Sequence, residues 1–201
     1  MPTGVPIHHI REQLFDAAKR VLLRDGADAL TSRAVTTEAG VAKGILHRYF
    51  PDFDAFLAAF VLSHIEHLDA RCEALRASAG TGEVDDNVAA ALADVLDPTA
   101  MQIVALVCSR GRLLERLRLT TPAGIPLLAE ITKMIATYLT AERGLGRIAL
   151  AADVDGLAVV VVGGAHLLTA AESNVAADRL RDLVTLAIQA ATEPRPRPAR
   201  I

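Results

Sequence analysis

Thr31-Ser32-Arg33-Ala34-Val35-Thr36-Thr37-Glu38-Ala39-Gly40-Val41-Ala42-Lys43-Gly44-Ile45-Leu46-His47-Arg48-Tyr49-Phe50-Pro51 is the stretch whose reading decides the fold. Thr31 offers a hydroxyl N-cap to a short helix reaching Glu38, Gly40 breaks it, and Val41 begins a second short helical stretch that ends near Tyr49 before Pro51 stops it. Two short helices joined by a glycine turn are a helix-turn-helix pattern. Upstream, Ile10, Leu14, Ala17, Ala18, Val21 and Leu22 recur with the period of an amphipathic helix, predicted over about 8–25 and ended by Gly26. Downstream, Asp52 is placed to cap a long helix carrying Phe53, Phe56, Leu57, Phe60, Val61, Ile65, Leu68 and Leu75, predicted to reach about Ser78.

Composition agrees with helices throughout. Apolar residues make up 52% of the 201 and charged ones 22%, while 13 Gly and 9 Pro exclude collagen-like and low-complexity chains. Five Phe, two Tyr and no Trp are too few aromatics for a typical sandwich or barrel. Further helical patterns span about 84–96, 99–119 with a break near Gly111, 121–144, 153–172 and 177–191. The predicted class is all-α, with an N-terminal three-helix helix-turn-helix head and a helical body, about nine helices in total. The expected domains are the head at 1–50, the body at 51–193 and a disordered tail at 194–201, where Pro and Arg alternate.

Gly156 to Ala171 carries no formal charge but is shorter than the ~20 residues of a spanning helix, so a buried core helix and no membrane partner are expected. Cys72 and Cys108 have no metal-like spacing and make no disulfide framework. Nothing at the N-terminus reads as a signal peptide, and a cytoplasmic location is expected. Net charge is -3, yet residues 1–50 hold seven bases against five acids, a weakly basic head on an acidic body.

The quoted stretch, with the preceding helix ending in Asp25-Gly26, resembles the DNA-binding head of the TetR family of transcriptional regulators over about Ile10 to Phe60. Helix length, cap, Ala-Gly-Val turn and Tyr-Phe-Pro exit stand at that family's spacing. The resemblance implies that Ser32, Arg33, Lys43, Gly44, Ile45, His47 and Tyr49 touch double-stranded DNA. Their chemistry agrees: Arg33 and Lys43 can neutralise phosphates, Gly44 lets the backbone come close, His47 can donate to a base or phosphate, and Ile45 can meet a thymine methyl. Val35 and Leu46 form the inner side of the motif. Three positions depart from the family pattern: Ala42 replaces a capping serine, His47 a tyrosine and Phe53 a phosphate-binding lysine.

In the body, His64, His67 and Arg71 interrupt the apolar stripe of the long helix, either as polar anchors of a ligand pocket or as groups satisfied by ordinary contacts. Arg112 is a further candidate for an acidic ligand end, though the run Arg110, Arg112, Arg116 and Arg118 also reads as a solvated face. Met134 and Tyr138 lie on an apolar stripe, either core or pocket lining. Leu180, Leu183, Val184, Ala187, Ile188 and Ala191 form one more stripe, next to a helix that is apolar nearly all round, so the last two helices (about 153–191) are expected to make a homodimer, with Gly163 and Gly164 allowing close approach.

No nucleophile-base arrangement, metal signature or phosphate-binding glycine loop occurs, so no enzyme, cofactor or metal is expected. The expected function is a DNA-binding regulator, a repressor released from a palindromic operator by a largely apolar small-molecule effector. The alternative is a helical apolar-ligand-binding protein without DNA function.

Overall fold

Helices make up all the regular structure among the described residues, which in this computed structural model are 7–120, 124–171 and 177–192. They are α1 (Ile7–Asp25), α2 (Ser32–Glu38), α3 (Ile45–Tyr49), α4 (Phe53–Glu66), α5 (Leu68–Ala77), α6 (Val84–Val95), α7 (Pro98–Ser109), α8 (Gly111–Leu117), α9 (Pro126–Gly144), α10 (Val154–Ala171) and α11 (Ala177–Thr192). The all-α class holds, with eleven helices among the described residues where about nine were expected. The predicted long helix from Asp52 divides at His67, whose ring hydrogen-bonds the carbonyl of Ser63. The break expected near Gly111 falls at Arg110, which takes an extended conformation and separates α7 from α8. The helix predicted from Thr121 starts at Pro126, and residues 121–123 lie outside the described ones, as does the tail 194–201.

The local signals act as read. Thr31 Oγ1 accepts the Ala34 N–H at 3.1 Å and Asp52 Oδ1 accepts that of Ala55 at 2.6 Å, so α2 and α4 both start on a side-chain cap. Gly26, at φ +83°, closes α1 by donating its N–H to the Leu22 carbonyl at 3.0 Å. Helix α3 begins four residues later than predicted, at Ile45 and not Val41. Its N-cap position is Gly44, which has no side chain to cap with, so alanine at position 42 does not decide the cap.

The chain divides into two compact units, Met1–His67 with Asp97–Ala129 and Leu68–Leu96 with Glu130–Ile201. This division does not follow a boundary at residue 50, because α4, α7 and α8 belong with the head. In the first unit α1 packs on α2 and α7, and α4 on α3 and α8. All five phenylalanines of the chain lie here. Phe15 meets Phe50, Phe56 and Phe60 at 6.2, 5.7 and 5.9 Å between ring centres, and Phe56 meets Phe50 edge-on at 5.2 Å.

In the second unit α6 packs on α5 and α11, and α10 on α11. A Cβ on Gly164 would stand 2.9 Å from Leu183 Cδ1, so this glycine lets α10 and α11 approach without a shift of the Leu183 side chain, whereas Gly163 faces open space. Part of the stripe expected to form a dimer packs inside the chain: Leu180 and Val184 are 2% and 0% exposed, on a helix packed against α6 and α10, while Leu183, Ala187 and Ile188 are half-buried. An amphipathic stripe needs one apolar partner, and α6 supplies it. Thr185 donates to Asp85 at 2.6 Å and Arg181 pairs with Asp86 at 2.6 Å, which pins α11 along α6. Helix α10 is apolar on two opposite faces. Leu157, Ala158, Val161, Val162 and Ala165 are buried, while Val159, Val160 and Leu167 are exposed, as is Leu186 of α11. By length and composition α10 could cross a membrane, and 33% of it is buried inside the protein.

Candidate functional site

The helix-turn-helix presents one side to the core and one to solvent. Val35, on α2, and Leu46, on α3, are fully buried, as expected, and Phe50 joins the phenylalanine cluster. Gly40, at φ +66°, makes the turn between α2 and α3, a conformation that a side chain would strain. Gln13 of α1 donates to the Ala39 carbonyl at 2.7 Å, which ties that turn to the first helix.

Arg33, Lys43, Gly44 and His47 are exposed, while Ile45 and Tyr49 are half-buried. Ser32 differs from expectation: its Oγ is buried without a hydrogen-bond partner, so in this conformation the hydroxyl does not face solvent. Arg48, absent from the predicted set, is exposed as well.

Charge is sorted across the head. Arg20 and Arg24 on α1 pair with Glu38 of α2 at 2.7 and 2.9 Å, and Arg24 also holds Asp25 at 2.9 Å. These arginines, Arg20 first, hold the Glu38 carboxyl below its ordinary range, and the Asp25 and Glu38 carboxylates raise the pKa of Arg24. Arg11 lies over the rings of Phe50 and Phe15 at 5.3 and 5.9 Å. Arg33, Lys43 and Arg48 form no ion pair among the described residues. The acid of α2 is thus neutralised from within, and the uncompensated positive charge of the motif is left on Arg33, Lys43 and Arg48. An exposed turn of this sign can attract a polyanion, and phosphate contacts of this kind set position and affinity.

Phe53, where the resemblance led to a lysine, stacks on Phe56 at 5.6 Å and receives the Arg110 guanidinium at 5.8 Å. Asp52 is kept below the ordinary carboxylate range by the Ala55 N–H first and by Arg116 at 2.9 Å.

The six residues marked for a ligand do not converge on one place. In the second unit, a pocket of about 210 Å³ is lined by Arg71, Leu75, Asn87, Ala91, Asp94 and Met134 among others. Arg71 is already paired there with Asp94 at 2.6 Å. Tyr138 is buried beside this pocket's Asn87, which donates to the Tyr138 hydroxyl at 2.9 Å; that hydroxyl in turn donates to Glu142 at 2.6 Å. Burial, and then this bond to Glu142, push the Tyr138 hydroxyl up to about 12. Glu142 is fully buried and accepts from the Gly80 N–H and from Arg147, each at 3.2 Å. In the first unit, Arg112 lines a separate groove with Asp52, Asp54, Glu115, Arg116 and Leu119. His64 is half-buried and His67 exposed, and neither lines these two cavities. Among the described residues no three His, Cys, Asp or Glu side chains come together as a metal site. Asn87, Ala91 and Asp94 carried no signal in the sequence beyond the periodicity of their helix.

Residues 14–60 match the family model of bacterial regulatory proteins of the tetR family. Over 71 residues the chain is 32% identical to the HTH-type transcriptional repressor KstR of Mycolicibacterium smegmatis, and this match covers 35% of each protein. The chain therefore spans about a third of that relative's length. The whole fold is similar to that of solved structures. Salmonella enterica GusR superposes with a TM-score of 0.66 at 15% identity, over 92% of this chain and 98% of that one. A transcriptional regulator from Rhodococcus sp. Rha1 gives 0.65 at 18% identity, over 90% and 95%. The fatty acid degradation regulator FadR of Bacillus halodurans gives 0.64 at 15%, over 94% and 96%.

Proposed function

We propose that this chain, which belongs to the TetR family of bacterial regulators, is a cytoplasmic homodimeric repressor that binds a palindromic operator and leaves it when a small effector binds. One observation carries the reading: the helix-turn-helix buries Val35 and Leu46, neutralises Glu38 with its own arginines and leaves Arg33, Lys43 and Arg48 unpaired in solvent. Such a surface has no internal use for its charge, and a phosphate backbone supplies the counter-charge.

Helix α3 would enter the major groove. Lys43 and Arg33 would hold phosphates, Gly44 would allow close backbone approach, and His47, Ile45 and Tyr49 would face base edges and sugars. Ser32 would contribute its backbone N–H in place of its buried hydroxyl. Reading two half-sites takes two heads about 34–36 Å apart, hence a dimer. The outer face of α10, with Val159, Val160, Gly163 and Leu167, together with Leu186 of α11, is an apolar surface left uncovered among the described residues and suits a two-fold four-helix contact.

The effector is a largely apolar molecule with one polar or acidic end, seated in the pocket beside Arg71 and Met134, where an acidic end would compete with Asp94 for Arg71. By favouring a different separation of the two heads it lowers operator affinity. The protein acts by binding and not by catalysis.

The test is a titration of the full chain against a duplex that it selects from a random-sequence pool. Lys43→Ala is expected to weaken binding to all duplexes alike and to make the salt dependence shallower by about one ion. Unchanged affinity and slope would remove Lys43 from the interface, and failure to select any duplex would end the DNA-binding reading.

A further inference from the structure

Two arginines that lie more than sixty residues away in sequence hold the two ends of the helix-turn-helix. Arg110, at the corner between α7 and α8, donates through Nη2 to the Leu30 carbonyl at 2.7 Å and to the Ala27 carbonyl at 3.4 Å. Its guanidinium also lies 5.8 Å from the centre of the Phe53 ring. One and a half turns along α8, Arg116 donates through Nη2 to Asp52 Oδ2 at 2.9 Å.

The acceptors are placed tellingly. Leu30 directly precedes Thr31, the cap of α2, and its N–H closes the turn that leaves α1 by donating to the Ala27 carbonyl at 3.3 Å. Asp52 is the cap of α4 and follows α3 by only two residues, Phe50 and Pro51. The two ties thus bracket residues 31–51, the segment with the unpaired bases. Both are charge-assisted hydrogen bonds from a planar, always-charged group, the strong kind. One of them grips backbone, so it fixes the path of the chain and not merely a side chain.

We propose that Arg110 and Arg116 are positioning residues for DNA binding: they hold segment 31–51 in its reading pose through the Ala27–Leu30 turn and the Asp52 cap, without touching DNA themselves. This rests on the DNA-binding reading above and goes beyond it. A residue that acts through pose neutralises no phosphate, so its loss lowers affinity at every salt concentration and leaves the slope of log K against log salt where it was. That pattern is the opposite of the one expected for Lys43.

The experiment uses the full chain and the duplex that the unaltered protein selects from a random pool. Arg110→Ala is expected to bind about tenfold more weakly with an unchanged salt slope. Amide hydrogen exchange at residues 28–33 is expected to quicken in the same variant. Asp52→Asn keeps a capping oxygen but loses the charge facing Arg116. It should match Arg116→Ala in affinity, and the double variant should be no weaker than either single one. Full affinity in a folded Arg110→Ala protein overturns the proposal, and so does a slope shallower by about one, which would make Arg110 a direct phosphate ligand. Additive losses from Asp52→Asn and Arg116→Ala overturn the second tie. Should the unaltered protein select no duplex, the DNA-binding reading fails by itself, and the exchange at residues 28–33 still decides whether Arg110 fixes the turn.

Discussion

The unit that carries the helix-turn-helix holds every phenylalanine of the chain in one cluster, whereas the unit with α6, α10 and α11 buries aliphatic side chains around a single carboxylate, Glu142, with Tyr138, Arg147 and the Gly80 N–H as its partners. An aromatic core buries no formal charge of its own, so its strength is set mainly by volume, ring geometry and buried area. A buried carboxylate is different, because its cost is offset only while each partner stays in place. The head is therefore expected to answer mainly to lost volume, and the body to lost charge or a changed proton count.

The largest effect belongs to volume. Phe56 is fully buried and touches the rings of Phe15, Phe50 and Phe53. Phe56→Ala is expected to cost about 3–5 kcal/mol in denaturant unfolding. Hydrogen exchange should show the loss in α1 to α4 first; equal loss of protection in α10 and α11 would mean that the two units unfold as one and would break the contrast.

Glu142→Ala is expected to cost less, about 2–3 kcal/mol, even though it strands three partners. The figure for a fully buried pair is higher, but the Arg147 side chain is 27% exposed and can turn to water. Tyr138 cannot, being held by burial. If the variant unfolds at the same denaturant concentration as the parent, the buried carboxylate is not what holds this unit together.

How far each region could be read from sequence follows the same line. The head announces itself through local chemistry: the Thr31 and Asp52 caps, the glycines at 26 and 40 and Pro51 each act on atoms within a few residues, and each was legible. Periodicity in the body gave the faces of helices but not their partners. It drew the stripe through Leu180 and Val184 correctly, yet could not say that α6 of the same chain covers it and that the open face is on α10. Arg110 and the arginines that follow it read as a solvated face, since nothing near them in sequence shows that Arg110 reaches Leu30 or that Arg116 reaches Asp52. For the same reason Arg71 and Met134 reach the pocket, whereas His67, on the same stripe, is satisfied by its own helix.

The smallest expected effect, and the sharpest separation of the two units, comes from pH. In the head, Glu38 and Asp52 titrate below their ordinary values of 4.5 and 3.8, so their contribution is complete above those values and is lost as pH falls through the lowered ones. The alkaline side acts on the body through Tyr138. Its hydroxyl is raised from 10.0 to about 12, first by burial and then by the bond to Glu142, so the folded state prefers the protonated form. Below pH 10 both folded and unfolded chains keep that proton and its contribution is whole. Between 10 and about 12 the unfolded chain gives it up while the folded one does not, and stability falls. Following tyrosinate absorbance beside helical signal should show the late-titrating tyrosine ionising together with loss of structure, and Tyr138→Phe should flatten this part of the alkaline limb. The same variant leaves Asn87 without its hydroxyl acceptor and Glu142 without a donor, so at neutral pH it should be slightly less stable than the parent. A folded protein in which Tyr138 ionises at its ordinary value would show that neither burial nor the carboxylate beside it acts on this hydroxyl as described here, and the contrast between an aromatic head and a charge-centred body would lose its main support.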